Sequence, residues 1–187
     1  MAFAFSFSSP FRRAPTGKTA LISQLADLLA PLLPPAKGLV IELAPTASGL
    51  VTTFLAGRRQ QPQDLLVVTP HAGSAARLAR LLPQVEVLHG DFLGSSPALH
   101  RLIDAAPFTA RAIVSRLKVP RDIAYQYRLL QSGFQLLALD GQFIQIQAGS
   151  AAPFPEPVLQ RLRLKMQRHG TFASGGSSYT VWQVSRT

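Results

Sequence analysis

The chain has 187 residues, of which 47% are hydrophobic and 15% are charged. This balance allows one compact domain with a sizeable core and excludes a disordered chain. Nineteen Lys and Arg against nine Asp and Glu give a net charge of +10, which attracts polyanions such as nucleic acid or anionic lipid headgroups. The absence of cysteine excludes disulfides, thiolate metal sites and a cysteine nucleophile.

The first 17 residues form a predicted N-terminal arm rich in Phe, Ser and Arg. Its positive charges follow the apolar residues, the reverse of their order in a secretory signal, whereas the lack of any acid before Asp27 leaves an organelle transit peptide open. The default expectation is a cytoplasmic protein. Phenylalanines beside Arg12 and Arg13 suit an anionic membrane surface, where arginines bind lipid phosphates. We therefore expect either peripheral binding to the inner face of the membrane, or an arm that folds back over the core or is disordered. Nucleic acid is the less favoured partner, because no aromatic and basic strand motif is present.

Strands and helices alternate along the rest of the chain. Short apolar runs bounded by glycine, proline or polar residues predict strands, which lie at residues 38–43, 65–68, 85–88, 112–115, 142–147 and 179–184. Apolar residues at helical spacing predict helices, which lie at residues 18–33, 48–57, 72–82, 95–103, 121–137 and 158–168. This alternation predicts one α/β domain, residues 18–187, with a mostly parallel sheet, helices on both faces and an antiparallel C-terminal edge strand.

Ligands of open α/β sheets bind beyond the carboxyl ends of the strands, so the loop at residues 42–49 is the first candidate site. From this loop onwards the motifs resemble the class I S-adenosylmethionine-dependent methyltransferases, most closely the bacterial phospholipid N-methyltransferases and the rRNA adenine dimethyltransferases. The resemblance runs through residues 14–18, 42–45, 85–91, 114–115, 140–143 and 181–182. It implies a Rossmann-like methyltransferase fold and S-adenosylmethionine as cofactor.

The resemblance also implies which residues surround the cofactor. The family has three glycines in the first loop, which let the backbone approach the cofactor. Ala44, Thr46 and Ser48 stand at those positions here, and Gly49 follows. Thr69 stands where the family has an acid that binds the ribose hydroxyls. Losing that charged acceptor is expected to weaken ribose binding by about tenfold to a hundredfold.

Two acids and one hydroxyl match the family pattern. Glu42 stands where a carboxylate holds the amino acid end of the cofactor, and Asp91 where an acid meets the adenine amine. Their structural alternatives are that Glu42 caps the following helix and Asp91 begins a turn. Ser115 matches the polar residue that orients the target nitrogen, and is the predicted catalytic residue. Arg116 and Lys118 follow it, a positive pair that disfavours a cationic amine and favours phosphate.

Other kinds of site have weaker support. Residues 16–19, Thr-Gly-Lys-Thr, resemble the last residues of a phosphate-binding P-loop motif, but Arg12 stands where that motif needs its first glycine. The four histidines, at positions 71, 89, 100 and 169, lack the spacing of a metal site, and no metal is expected.

Two hypotheses follow from these residues. The first is an enzyme that transfers a methyl group from S-adenosylmethionine to the amine of a phospholipid headgroup, a reaction that depends mainly on aligning the nitrogen lone pair with the methyl group. The second is a non-catalytic relative that serves as a binding module for a membrane surface, nucleic acid or a protein partner. Side chains of Thr46 and Ser48 that project into the cofactor slot would favour the second.

Overall fold

The structure is a computed structural model that describes residues 17–33, 37–46, 48–61, 64–93 and 108–187. The predicted arm, apart from Gly17, and the predicted helix at residues 95–103 lie outside these ranges. None of the described helices is long and apolar enough to cross a membrane.

Helices and strands alternate through the first half of the described chain, as the sequence predicts. The helices are α1 (Gly17–Leu29), which continues as a 3-10 turn (Ala30–Leu32), α2 (Leu50–Ala56), α3 (Ala72–Leu81), α4 (Ile123–Leu136) and α5 (Glu156–Arg161). The strands are β1 (Val40–Leu43), β2 (Leu65–Thr69), β3 (Glu86–His89), β4 (Ala110–Ser115), β5 (Leu137–Ala148), β6 (Leu164–Ser174) and β7 (Ser177–Arg186).

The seven strands form one sheet in the order β3-β2-β1-β4-β5-β7-β6. Strands β1 to β5 pair in parallel, and β7 is antiparallel to both β5 and β6. A mostly parallel sheet with an antiparallel C-terminal strand is thus confirmed. The predicted edge position of that strand is wrong, because β7 lies between β5 and β6 and leaves β6 at the edge.

Helices cover both faces of the sheet, which confirms the predicted layers. On one face, α1, α2 and α3 bury Leu25, Leu55 and Leu78 against the sheet. On the other, α4 and α5 bury Leu129 and Val158. Each strand of a parallel sheet is then shielded from water on both sides, which is why β1 and β2 are buried along their whole length.

The predicted helix at residues 158–168 is wrong in its second half. Helix α5 ends at Arg161, Arg163 adopts a left-handed φ of 54°, and β6 begins at Leu164. From there buried or half-buried side chains alternate with exposed ones, as in Leu164, Lys165 and Met166. The basic residues resemble the polar face of a helix, but pairing with β7 is a long-range interaction that overrides local preference.

The N-cap residue of α4 is Asp122. The carboxylate of Asp122 accepts hydrogen bonds from the backbone N–H groups of Ala124, at 2.8 Å, and Tyr125, at 3.4 Å. These groups have no partner within the helix, so Asp122 satisfies two donors that would otherwise rely on water.

Replacing Asp122 by Ala is expected to lower the free energy of unfolding by about 1 kcal/mol, because the cap is lost while the exposed side chain buries little surface. Urea-induced unfolding measures the change. Asp122→Asn is the matched control, since asparagine caps about as well as aspartate. Equal losses in both variants would show that the charge, and not the cap, stabilises the helix.

Candidate functional site

The carboxyl ends of the parallel strands lie side by side at one edge of the sheet. Leu43 at the end of β1 is opposite Val68 of β2 and Ser115 of β4, and Thr69 is opposite His89 of β3. The register therefore brings the predicted positions 42, 69 and 115 to the same edge of the sheet, with Glu42 and Thr69 on one face and Ser115 on the other. All three side chains are buried, whereas Asp91 is exposed.

The loop after β1 has a backbone conformation typical of glycine at a residue that is alanine. Ala44 has a φ of 51°, in the left-handed region that side chains disfavour, and its N–H donates to the carbonyl of Val68 at 2.8 Å. At the end of the loop Gly49 has a φ of 61°, and a Cβ there would lie 2.9 Å from Cδ2 of Leu78. The loop is therefore bent at both ends, and the Ala44 methyl group occupies space that a glycine would leave open.

The two hydroxyl residues of this loop contact each other. The Thr46 and Ser48 side-chain oxygens are 2.9 Å apart, and the N–H of Gly49 donates to the Thr46 carbonyl at 2.9 Å. Ser48 is exposed and Thr46 half-buried. One hydroxyl donates to the other, and the hydroxyl that accepts keeps its own proton free for water or a ligand.

Glu42 is the unusual group of the site. Its side chain, one residue before the carboxyl end of β1, is fully buried, and neither carboxylate oxygen has a hydrogen-bond partner among the described residues. The predicted alternative that Glu42 caps α2 is wrong, because Gly49 occupies the cap position and no side chain caps this helix. Burying a charge without a partner is costly, so this carboxylate favours a proton, a cation or an N–H donor.

Burial raises the pKa of Glu42 to about 7. The hydroxyl of Thr52 on α2 and the positive charge of Arg116 oppose this effect but are weaker. The Thr52 hydroxyl itself has no hydrogen-bond partner among the described residues, so its influence is that of a nearby dipole. Glu42 therefore changes its charge near neutral pH.

Thr69 and Asp91 lie at the ends of the neighbouring strands. The Thr69 hydroxyl accepts the N–H of His71 at 3.4 Å, and its carbonyl accepts the N–H of Gly90 at 2.9 Å. Asp91 accepts the N–H of Leu93 at 3.2 Å, so it does begin a turn, as the structural alternative predicts. These bonds fix the loops after β2 and β3 relative to each other.

The sequence did not predict that two glutamines hold the segment after β4. The side-chain amide of Gln145 on β5 donates to the carbonyl of Leu117 at 2.8 Å, and that of Gln126 on α4 donates to the carbonyl of Pro120 at 2.7 Å. The Ser115 hydroxyl accepts the N–H of Leu117 at 3.3 Å. Gln145 lies directly opposite Ser115, a pairing that only the strand register reveals.

A cleft of about 370 Å³ opens beside this segment. Residues 116–119 form one wall, residues 146–148 at the end of β5 form another, and Tyr179 of β7 completes it. The Arg116 guanidinium lies over the Tyr179 ring, 5.0 Å from its centroid. The charge of Arg116 also lowers the pKa of Glu42, against the larger effect of burial, so this arginine influences both the cleft and the buried acid.

The described residues contain no cluster of side chains that could hold a metal ion. Among them, no three His, Cys, Asp or Glu side chains group together as ligands would.

Replacing Glu42 by Gln is expected to stabilise the protein increasingly as pH rises. The folded chain holds the Glu42 proton up to about pH 7, whereas the unfolded chain releases it near 4.5, so the contribution of Glu42 to stability is lost as pH rises between these values. The advantage of the variant should grow by about 2–3 kcal/mol between pH 5 and pH 8. Urea-induced unfolding of both proteins at the two pH values measures it, and a constant difference would contradict it.

Replacing Ala44 by Gly is expected to stabilise the protein by up to about 1 kcal/mol. An alanine in the left-handed conformation destabilises the folded chain by about 1–2 kcal/mol. Glycine removes this strain, and the strain exceeds the entropy cost of a more flexible unfolded chain, about 0.4–1 kcal/mol. The matched control is Ala76→Gly on the exposed side of α3, which should cost about 1 kcal/mol. Thermal unfolding of both variants should give shifts of opposite sign, and a loss at both positions would show that Ala44 is not strained.

Comparison with known proteins gives a result only at the level of structure. No model of a protein family matches the chain, and no curated protein matches it. Solved structures do match. A TehB-like S-adenosylmethionine-dependent methyltransferase from Corynebacterium glutamicum has a TM-score of 0.59 and 14% identity, over 87% of this chain and 86% of that one.

Two further matches are methyltransferases with different acceptors. The mitomycin 7-O-methyltransferase MmcR has a TM-score of 0.58 and 12% identity, over 90% of this chain and 55% of that one. Geranyl diphosphate C-methyltransferase from Streptomyces coelicolor A3(2), solved with Mg²⁺, geranyl diphosphate and S-adenosyl-L-homocysteine, has a TM-score of 0.58 and 12% identity, over 91% of this chain and 79% of that one. The chain therefore has the fold of the class I S-adenosylmethionine-dependent methyltransferases, as the sequence predicts, and this fold serves several acceptors.

Proposed function

We propose that this chain binds S-adenosylmethionine at the carboxyl ends of β1, β2 and β3 and transfers its methyl group to the amine of a phospholipid headgroup. One observation carries the proposal. The Glu42 carboxylate is fully buried without a hydrogen-bond partner among the described residues, at the strand end where this fold binds its ligands. A cationic ligand with N–H donors would supply what this group lacks.

Each part of the cofactor has a candidate partner among the residues at this edge. Glu42 would hold the ammonium group of the methionine part, and the left-handed backbone at Ala44 would let the chain pass close to it. The Thr69 hydroxyl would replace the usual acid at the ribose, and Asp91 would accept the adenine amine. The Ala44 methyl group and the neutral Thr69 both weaken this fit, so we expect binding about tenfold to a hundredfold weaker than with an acid at position 69.

When bound, S-adenosylmethionine supplies an electrophilic methyl group. The chain then has to orient the accepting nitrogen, because methyl transfer to an amine depends on alignment more than on acid or base chemistry. Ser115 is the proposed orienting residue. Its oxygen accepts the N–H of Leu117, which fixes the hydroxyl at the end of β4, and its second lone pair could accept an N–H of the amine, so that the nitrogen lone pair stays free to attack the methyl group.

The proposed acceptor is presented at an anionic membrane surface. The net charge of +10 attracts such a surface. Arg12, Arg13 and the Phe-rich arm are the sequence-based candidates for the contact, and they lie outside the described residues.

Calorimetric titration with S-adenosylmethionine and with S-adenosylhomocysteine tests the proposal. We expect micromolar affinity for both ligands. The absence of heat up to millimolar ligand would overturn the proposal and leave the second hypothesis, a non-catalytic binding module whose altered loop no longer accepts the cofactor.

The affinity for S-adenosylmethionine is also expected to depend on pH through Glu42. Only the ionised carboxylate attracts the ligand's ammonium group, and with a pKa of about 7 its ionised fraction rises roughly eightfold between pH 6 and pH 7.5. The affinity should rise by about the same factor. Glu42→Gln should bind more weakly and lose this dependence.

Methylthioadenosine is the matched ligand for this test, because it lacks the amino acid part. Its affinity should be the same at both pH values. A rise of equal size for methylthioadenosine would show that Glu42 does not contact the ammonium group.

A further inference from the structure

The cleft between the segment after β4 and the end of β5 is positively charged. Arg116 and Lys118 line it, and none of its described lining residues is acidic. Lys118 is exposed and Arg116 half-buried, so both charges can reach a ligand from solvent. The volume of about 370 Å³ lies in the range of small-molecule sites.

Arg116 is held in place for binding. Its guanidinium lies over the Tyr179 ring, and its backbone N–H donates to the carbonyl of Leu43 at 2.9 Å. Gln145 and Ser115 fix Leu117, the residue between the two cations. A planar guanidinium on an aromatic ring keeps its outer N–H groups free for the paired oxygens of a phosphate, and the fixed backbone lowers the entropy cost of binding.

The rest of the cleft combines apolar walls with one acceptor. Leu117, Val119 and Ile146 contribute apolar surface. The side-chain oxygen of Gln147, another lining residue, has no hydrogen-bond partner among the described residues. A ligand that carries a phosphate, an N–H donor and an apolar portion would satisfy each part of this surface.

We propose that Arg116 and Lys118 bind the phosphate group of the methyl acceptor. This inference rests on the proposed function and names the chemical class of its substrate. A simple cationic amine is repelled by the two positive charges, whereas an aminoalkyl phosphate brings its own counter-charge. The same positive charges favour the neutral form of a nearby amine, and the neutral form is the one whose lone pair can accept a methyl group.

The phosphate could belong to a lipid headgroup or to a small soluble molecule, and three probes separate these sources. Glycerophosphoethanolamine carries the phosphate and amine without acyl chains, dihexanoyl phosphatidylethanolamine adds short chains, and ethanolamine has the amine alone. Calorimetric titration of the full chain should show binding of both phosphates and much weaker binding of ethanolamine. Tighter binding of the short-chain lipid identifies a lipid source, and equal binding of the two phosphates a soluble one. Ethanolamine that binds as tightly as the phosphates would overturn the proposal.

Charge variants locate the binding. Arg116→Gln and Lys118→Gln should each weaken binding of glycerophosphoethanolamine by about tenfold, and the double variant by about a hundredfold. The matched control is Lys165→Gln with Arg168→Gln on β6, which removes the same charge from exposed positions. A double variant that binds like the unmodified chain, or a control that loses as much, would overturn the proposal. Lys118→Gln leaves the Arg116 contacts intact, so it serves if Arg116→Gln does not fold.

Titration of the Lys118→Gln variant with S-adenosylmethionine separates this inference from the proposed function. Unchanged cofactor affinity with weakened phosphate binding supports both. If the unmodified chain binds no cofactor but binds phosphate in a way that depends on Lys118, the phosphate site is supported and the proposed methyl transfer is overturned. Cofactor binding without any phosphate binding overturns the inference alone.

Discussion

The pairing of β1 on both sides is the constraint on which the rest of the structure depends. Its four residues are hydrogen-bonded in parallel to β2 and to β4, so the ends of three strands are fixed by one register. A shift of one residue would turn Glu42 and Leu43 to the opposite faces of the sheet. The position of the buried acid, of the loop that follows it and of Ser115 all follow from this pairing.

In the loop after β1, the backbone adopts a conformation typical of glycine although the residue is alanine. The left-handed conformation persists at Ala44, where the side chain disfavours it, because the N–H bond to Val68 and the start of α2 impose the bend. A fold can therefore maintain a conformation that its local sequence no longer favours. The glycine pattern is then a poor guide to backbone shape, although it remains a good guide to the space beside the backbone.

Most of the fold follows from local patterns. The first four strands and the helices α1 to α4 in the described residues agree with hydrophobic periodicity, because short buried strands and amphipathic helices are determined mainly by their own residues. The sequence analysis did not predict β6, because this strand is stabilised by pairing with β7 and not by the conformational preferences of its own residues. Motif order predicts the positions of Glu42, Thr69 and Ser115 at or next to the ends of their strands, and their roles toward a cofactor stay a prediction. The effect of the Arg116 charge on the pKa of Glu42 joins distant segments that no spacing rule connects.

The edge strand β6 has a consequence for how the molecule behaves in concentrated solution. An open edge offers unpaired backbone groups to any extended chain, which is a route to aggregation. Here the edge carries the exposed residues Lys165, Arg168 and His169, and its register shifts between Arg168 and Gly170. An incoming strand would meet like charges and a break in the ladder. These features disfavour the addition of another strand at the β6 edge of the sheet.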